Sequence, residues 1–288
     1  MTHLFTTRLR VRHYELDARG EMPNSALFRL FQETAMRATR DAGFGVEWFM
    51  ERRAVWLVHQ MTVEHLRPIR YPDELEVTTW LSDVQKVRTH REYLARSAVT
   101  NEIVARGRAY WVHLNGATLL PARIPPDLIE RFQPNGIRAV PRPEPRTYAF
   151  SKHLAPIEHR ARRRVQRYEA DGMQHVNNAV YIDWLEEALA DAVTAWHPEQ
   201  SLEQQSKDVG SPDTAHHLCV RRHDIAYARS ALPGDEVEIN VRTSGVGHCA
   251  SAWNSEIRRG EELLVRDRIT ALWVDEAGKP VKHCGATT

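Results

Sequence analysis

The sequence predicts an α+β fold made of two copies of one unit, each a long central helix wrapped by an antiparallel β-sheet. The length of 288 residues suggests two domains at about 150 residues each. The motif Tyr14–Asp17 recurs as Tyr168–Asp171, an offset of 168 − 14 = 154. After each motif, one stretch with helical periodicity precedes several segments rich in β-branched and aromatic residues.

The first copy begins with an alternating strand around Leu9–His13. A helix should follow, capped by Asn24 or Ser25 and running to about Asp41, with Gly43 just beyond its end. After this helix the sequence predicts strands only. These predicted strands are 55–66, 74–81, 87–98 and 103–114.

The second copy repeats this plan with an insertion. The offset of 154 continues through the helix, but residues 73–77 match 235–239 at an offset of 235 − 73 = 162, and Trp111–Val112 matches Trp273–Val274 at the same offset. The polar stretch 196–216 accounts for the difference and is predicted to be a surface loop or lid.

Prolines mark the boundary between the copies. Residues 121–145 contain seven of the fifteen prolines, which disfavours regular helix or central strand and predicts a linker. The predicted organisation is an N-terminal domain at 1–120, a linker at 121–150 and a C-terminal domain at 151–288 that carries the reactive turn.

Composition argues against several classes of function. The formal net charge is only +1, so the chain lacks the basic excess of a nucleic-acid binder. No stretch is long and apolar enough for a membrane span, and no secretory signal is expected. The histidines near 216–223 lack the spacing of a metal site, so neither a metal nor a cofactor is predicted. Three cysteines without CxxC spacing fit a reducing cytoplasm, namely Cys219, Cys249 and Cys284.

The densest cluster of reactive side chains lies between the first strand and the helix of the second copy. It contains Asp171, His175, Asn177 and Asn178 in a D-x-x-x-H-V-N-N run. This run, placed before an amphipathic helix, resembles the signature of hotdog-fold thioesterases. The residues that follow, up to Glu186–Glu187, are similar to the acyl-ACP thioesterase family in particular.

The first copy extends the resemblance to nearly the whole chain. The turn at 14–17, the helix at 32–35 and the strand at 72–80 are similar to the N-terminal half of that family. The resemblance implies a double hotdog that hydrolyses fatty acyl thioesters carried on acyl carrier protein. It also implies that acyl carrier protein is the partner.

The residues of the turn fit thioester hydrolysis on chemical grounds. Hydrolysis needs a water or carboxylate nucleophile, a proton acceptor, and donors for the oxyanion. Asp171 and His175 supply the first two groups. Asn177 and Asn178 lie where a helix cap belongs, so they either cap the helix or contact the substrate, and the helix N-terminus would polarise a carbonyl.

The matching turn of the first copy lacks this chemistry. Glu21 replaces His175 and Pro23 replaces Asn177. Asp17 remains, and we expect it to order the turn. One site per chain is therefore predicted, with the first copy shaping the acyl pocket.

Two departures from the family leave the mechanism open. Met173 stands where the family has an asparagine, and Ser230 and Ala231 stand where it has an acidic residue and sometimes a cysteine. Hydrolysis would then depend on Asp171 and His175 alone, or on a helical carboxylate such as Glu186 or Glu187.

Other interpretations share the fold. An acyl-CoA thioesterase differs only in the carrier, a non-catalytic acyl-binding protein would bind without turnover, and a hotdog dehydratase usually places its histidine differently. The arginine-rich run 159–167 could dock an acidic carrier protein or could simply be a solvated strand face. A monomer or a homodimer both fit a chain that already contains two copies.

Overall fold

The structure is a computed structural model that describes residues 2–141, 157–196, 217–247, 249–275 and 278–281. The chain divides into two compact units, Met1–Arg142 and Pro143–Thr288. Most of the predicted lid, 197–216, lies outside the described residues, as do His216 and Cys284. Within the described residues, no helix is both long enough and apolar enough to cross a membrane.

The N-terminal unit contains a five-stranded antiparallel sheet with the strand order β1-β3-β4-β5-β2 and a long helix, α1. The apolar face of α1, including Leu27, Phe28 and Phe31, is buried. Because α1 contacts both β1 and β3, its buried face lies against the sheet. The elements are β1 (Phe5–Arg10), α1 (Asn24–Asp41), α2 (Val46–Glu51), β2 (Ala54–His65), β3 (Glu74–Gln85), β4 (Arg88–Ser97), β5 (Ile103–Asn115) and α3 (Pro126–Phe132).

The boundaries of α1 correct one prediction. Its end before Gly43, at a φ of 96°, is as predicted, but the predicted caps Asn24 and Ser25 already lie inside the helix. Pro23 occupies the cap position and makes no side-chain cap bond. The prediction of a polar cap was wrong because the helix begins at Asn24 itself, which leaves Pro23, in an extended conformation, at the cap position.

Two short helices, α2 and α3, were not predicted. α3 lies inside the predicted linker and has Pro126 at its first position, where the missing N–H would be unpaired in any case. The proline content therefore disfavours the interior of a helix but not its first turn. Residues near and within these helices form a buried cluster with β3, made of Ala42, Phe44, Leu81, Ile124, Leu128 and Phe132.

The C-terminal unit repeats the architecture, with the strand order β7-β10-β9-β8-β6 and the helix α4. Tyr181, Trp184 and Leu185 of α4 are almost fully buried, as expected for a helix enclosed by a sheet. The predicted α+β class is confirmed in both units. The elements are β6 (Glu158–Arg164), α4 (Val180–Trp196), β7 (His217–Tyr227), β8 (Glu236–Val246), β9 (Ala250–Arg259) and β10 (Glu262–Val274).

Backbone contacts correct the alignment of the last strands. The bridge between Leu114 and Pro121 has its counterpart between Val274 and Pro280, an offset of 274 − 114 = 160 rather than 162. The connection from β9 to β10, at 260–261, is shorter than the one from β4 to β5, at 98–102. The predicted match of Trp111 with Trp273 was therefore wrong by two residues. A two-residue shift keeps the same face of a strand, so the hydrophobic pattern alone could not reveal it.

Candidate functional site

The C-terminal turn, defined as residues 170–178, joins a short 3₁₀ segment, Arg167–Glu169, to α4. The Asp171 N–H donates to the His175 carbonyl at 3.0 Å, and the Asn177 N–H donates to the Glu169 carbonyl at 3.0 Å. These two bonds enclose an antiparallel bridge between Ala170 and Val176. The turn is thus a small closed hairpin, which holds its side chains in defined directions.

The hairpin brings the two predicted reactive groups together. The Asp171 Oδ1 lies 3.9 Å from the His175 Nδ1 and accepts the Met173 N–H at 2.9 Å. Its other oxygen, Oδ2, accepts the side-chain N–H of Asn177 at 3.2 Å. Both side chains keep partial access to solvent, at 25% for Asp171 and 21% for His175. The carboxylate is therefore oriented next to the imidazole.

The tautomer of His175 follows from its surroundings. The Nδ1 atom lies 3.3 Å from the Val176 carbonyl oxygen, which can only accept a hydrogen bond. A neutral imidazole with its proton on Nδ1 satisfies this contact and leaves the lone pair on Nε2. In that form, His175 can take a proton from water through Nε2.

The two asparagines have different surroundings. The Asn177 Oδ1 accepts the Ala179 N–H at 3.0 Å, so Asn177 caps the start of the helix. The Asn178 carbonyl accepts the Tyr227 hydroxyl at 3.2 Å. The Asn178 side chain makes no hydrogen bond to any residue that the structure describes, which leaves its carboxamide open to a ligand.

A loop after β7 runs beside the turn. The Val176 N–H donates to the Ala231 carbonyl at 2.9 Å, and the Ala231 N–H donates to the Tyr181 hydroxyl at 2.8 Å. Burial raises the pKa of Tyr181 to about 12, so this hydroxyl stays protonated. Ser230 is exposed next to these contacts, and the position contributes no carboxylate. Met173 is also exposed, at 55%.

The alternative carboxylate, Glu186, belongs to a different cluster. Its Oε1 lies 2.9 Å from the His223 Nε2, and the His223 Nδ1 lies 2.6 Å from the Asp267 Oδ2. Glu186 is 186 − 180 = 6 residues beyond the first residue of α4, Val180, which is about 9 Å along the helix axis. The structure therefore places this carboxylate away from the start of the helix, where His175 lies.

The cluster of Glu186, His223 and Asp267 was not predicted from the sequence. His223 and Asp267 have no exposed side-chain surface. Burial alone would lower the pKa of His223, but the charge of Asp267 and the hydrogen bonds to both carboxylates outweigh it and raise the pKa to about 10. The signal available in the sequence was the position of His223 on β7, between the charged Arg222 and Asp224 and at the two-residue spacing of the apolar Ile225 and Tyr227. Its partners lie on two other elements, so the pairing was not visible.

The arginine-rich run of β6 is largely paired with acids. Arg160 binds Glu158 at 2.7 Å, and Arg162 binds Glu238 at 3.0 Å. Arg163 forms an ion pair with Glu169. These contacts reduce the net positive charge that the strand presents. In the described part of the chain, no three His, Cys, Asp or Glu side chains are grouped so that they could hold a metal ion.

Two family models match the chain, one in each unit. Residues 165–276, which contain the whole C-terminal turn, match the family model of the thioesterase-like superfamily. Residues 2–132 match the family model of the acyl-ACP thioesterase N-terminal domain. The chain thus combines a match to the acyl-ACP thioesterase N-terminal domain with a match to the thioesterase-like superfamily, in line with the resemblance that the D-x-x-x-H-V-N-N run indicated.

Curated relatives of this family are distant. A chloroplastic palmitoyl-acyl carrier protein thioesterase of Gossypium hirsutum is 28% identical over 211 residues, covering 69% of this chain and 50% of the relative. A chloroplastic oleoyl-acyl carrier protein thioesterase 1 of Arabidopsis thaliana is 24% identical over 207 residues, covering 67% of this chain and 56% of the relative. The chain spans about half the length of the curated relatives it matches.

Solved structures confirm the double hotdog fold. A 12:0-ACP thioesterase from Umbellularia californica superposes with a TM-score of 0.68 at 18% identity, covering 94% of each chain. An acyl-ACP thioesterase from Bacteroides thetaiotaomicron gives a TM-score of 0.68 at 16% identity, covering 93% of this chain and 98% of the other. At these identities the likeness speaks for the fold alone.

Proposed function

We propose that this chain hydrolyses fatty acyl thioesters of acyl carrier protein to a free fatty acid and the carrier. The observation that carries the proposal is the pairing of Asp171 and His175 within one closed turn at the start of α4. A carboxylate and a histidine so placed form an acid–base pair. The family supports the substrate class, because the related proteins are named for acyl carrier protein thioesters.

In the proposed mechanism His175 is the general base. Its Nε2 takes a proton from a water molecule that attacks the thioester carbonyl, and the anionic Asp171 stabilises the imidazolium that forms. Asp171 acts better as this support than as a nucleophile, because both of its oxygens already accept hydrogen bonds.

The oxyanion and the leaving group complete the reaction. The free carboxamide of Asn178 and the positive end of the α4 dipole would stabilise the oxygen that becomes negative. When the tetrahedral intermediate collapses, the bond between carbon and sulfur breaks, and the carrier's thiolate receives the proton held by His175. The carboxylic acid product then loses its own proton to water.

The test is release of free thiol from a panel of acyl carrier proteins loaded with acyl chains of different lengths. His175→Ala should lower kcat by about 10²–10⁴-fold, the range for loss of a general base. Asp171→Ala should also lower kcat. Asp17→Ala is the matched control, since Asp17 holds the equivalent turn of the first copy, and its kcat should stay within about 3-fold of the wild type. Folded wild-type protein that turns over no acyl chain length would contradict the proposal.

A second candidate is a non-catalytic acyl-binding protein. It is favoured by one observation, namely that Met173 and Ser230 stand where the resemblance leads us to expect an asparagine and a carboxylate. Mass spectrometry of a stoichiometric mixture would then show the intact thioester after long incubation. Matched acyl-CoA substrates in the same assay decide between the two carriers.

Two further proposals concern location and assembly. A cytoplasmic location would be checked by fractionation of the source cells. Light scattering with size-exclusion chromatography would distinguish a monomer from a homodimer.

A further inference from the structure

We infer that Glu169 is the positioning residue of the C-terminal turn, and that Arg163 and Trp184 hold its carboxylate for this task. The inference rests on the proposed function, because it concerns the geometry of the same turn. Glu169 does not contact the reacting atoms. It acts through Asn177 and Asp171.

The backbone of Glu169 closes the turn. Its carbonyl accepts the Asn177 N–H at 3.0 Å, which is the outer hydrogen bond of the hairpin. The side chain of Asn177 in turn donates to the Asp171 Oδ2 at 3.2 Å. A displacement of Glu169 would therefore move Asn177 first and the Asp171 carboxylate with it.

The side chain of Glu169 ties this point to two other elements. The residue is only 6% exposed. Its Oε1 accepts the indole N–H of Trp184 at 3.0 Å and a hydrogen bond from Arg163, while Oε2 accepts the Gln166 N–H at 2.7 Å. The guanidinium of Arg163 also lies over the Trp184 ring, 4.4 Å from its centroid.

These contacts hold the Glu169 carboxylate, and with it the start of the turn, in one position. Charge-assisted hydrogen bonds in a buried setting are short and strong, and several donors on one carboxylate restrict its motion. Because Arg163 is on β6 and Trp184 is on α4, the Glu169 carboxylate links the strand before the turn to the helix after it.

We call the contacts of Arg163 and Trp184 with the Glu169 carboxylate the clamp. The first copy has the same capping residue but lacks the clamp. Glu15 accepts the Arg12 N–H at 2.9 Å, just as Glu169 accepts the equivalent backbone donor. At the offset of 154, however, Leu9 and Leu30 take the places of the arginine and the tryptophan. Pro23 takes the place of Asn177 and has no N–H to donate. The clamp thus accompanies only the turn that carries a histidine.

A positioning role predicts a specific kinetic change. Misplacing a reactive group by about 1 Å can cost on the order of 10²-fold in rate, while binding of the distant acyl chain is unaffected. A loss confined to kcat shows an interaction that matters in the transition state. Glu169→Gln should therefore lower kcat by about 10–100-fold and change KM by less than about 3-fold.

The experiment compares Glu169→Gln with Glu15→Gln in the full chain. Both variants lose a charged cap, so both should show a lower Tm, but only Glu169→Gln should lower kcat. An equal fall of kcat in both variants, or an unchanged kcat in Glu169→Gln, would overturn the inference. If Glu169→Gln does not fold, Trp184→Phe removes the indole N–H that binds Glu169 and keeps a smaller aromatic ring, and a fall of kcat at constant KM is again expected.

A readout without turnover separates this inference from the proposed function. The NMR titration of the His175 ring should move in Glu169→Gln and stay at its wild-type position in Glu15→Gln. If the wild type hydrolyses no thioester, the proposed function fails, and the titration still tests the clamp. An identical His175 titration in the wild type and in both variants would refute the positioning role.

Discussion

The two turns of this chain have the same backbone hydrogen bond but different side-chain chemistry. In the N-terminal turn, residues 16–24, the Asp17 N–H donates to the Glu21 carbonyl at 2.8 Å, as the Asp171 N–H does to the His175 carbonyl. The side chain of Glu21 is nearly buried and binds Arg70 at 2.7 Å. The side chain of His175 remains partly open to solvent.

The loop beside each turn explains the difference. The Met22 N–H donates to the Ile69 carbonyl at 2.7 Å, which corresponds to the bond from Val176 to Ala231. Arg70 therefore has its counterpart one residue after Ala231, at Leu232. An ion pair turns the first turn into a purely structural element. At the same place the second turn has Leu232, so this position supplies no cation to the imidazole of His175.

The interiors of the two copies also differ. In the first copy, Gln32 occupies the position of Glu186, Met61 occupies that of His223, and Gly107 occupies that of Asp267. A Cβ atom at Gly107 would lie 2.6 Å from the Phe31 ring, so the glycine is what lets that ring approach the strand. One copy thus fills its centre with an aromatic ring and the other with a histidine between two carboxylates.

The largest expected effect on kcat comes from replacing residues of the C-terminal turn with their counterparts from the N-terminal turn. His175→Glu combined with Leu232→Arg should recreate the ion pair of Glu21 and Arg70, and should lower kcat by about 10²–10⁴-fold because the base is lost. Thiol release measures the rate, and circular dichroism measures folding. The reverse control, Glu21→His with Arg70→Leu, should keep wild-type kcat. Full activity in the first variant would show that the chemistry lies elsewhere.

The next effect concerns the buried histidine. His223→Met should lower the free energy of unfolding by about 3–5 kcal/mol, because it leaves the fully buried Asp267 without its partner. Adding Asp267→Ala should restore more than half of this loss, since the unpaired charge is gone. Urea unfolding at pH 7 gives both values. No recovery in the double variant would mean that packing, rather than charge, dominates at this site.

The same residue predicts a dependence on pH. The folded-state pKa of His223 is raised to about 10, above the value of about 6.5 expected in the unfolded chain. Its contribution is therefore complete below pH 6.5 and declines as pH rises towards 10. The free energy of unfolding of the wild type should fall between pH 6.5 and pH 10 more than that of the variant with both His223→Met and Asp267→Ala. Parallel curves would contradict the charged state of His223.

The smallest effect is local. Gln174 has a φ of 62°, and its counterpart in the first copy is Gly20 at 75°. Glycine tolerates this conformation, so Gln174→Gly should stabilise the protein by roughly 0.5–1 kcal/mol after the greater flexibility of the unfolded chain is included. Thermal unfolding checks the gain. Gly20→Gln should have the opposite sign, and a loss of stability in Gln174→Gly would show that the glutamine side chain makes an additional contact.

Most of the fold could be predicted because its signals are local. The long helix Asn24–Asp41 and the strands of the first copy lie within a few residues of their predicted positions, since periodicity and β-branched residues mark them directly. The helices α2 and α3 were missed because each has fewer than eight residues, which is too short to show an amphipathic period.

The candidate site could be predicted only in part. Asp171, His175 and Asn177 lie within seven consecutive residues, so their proximity follows from the sequence alone. The clamp on Glu169 and the cluster around His223 join residues from different elements. Their pairing depends on the strand register and on the face of α4, which a single sequence does not specify.

Local pattern was therefore sufficient for the repeat, the order of the long helices and the strands, and the proximity of Asp171 to His175, because each depends on neighbours along the chain. Folding alone brought Arg163 and Trp184 to Glu169, and Asp267 to His223. The physical reason is that a buried charge has a stable position only where distant elements supply its partners.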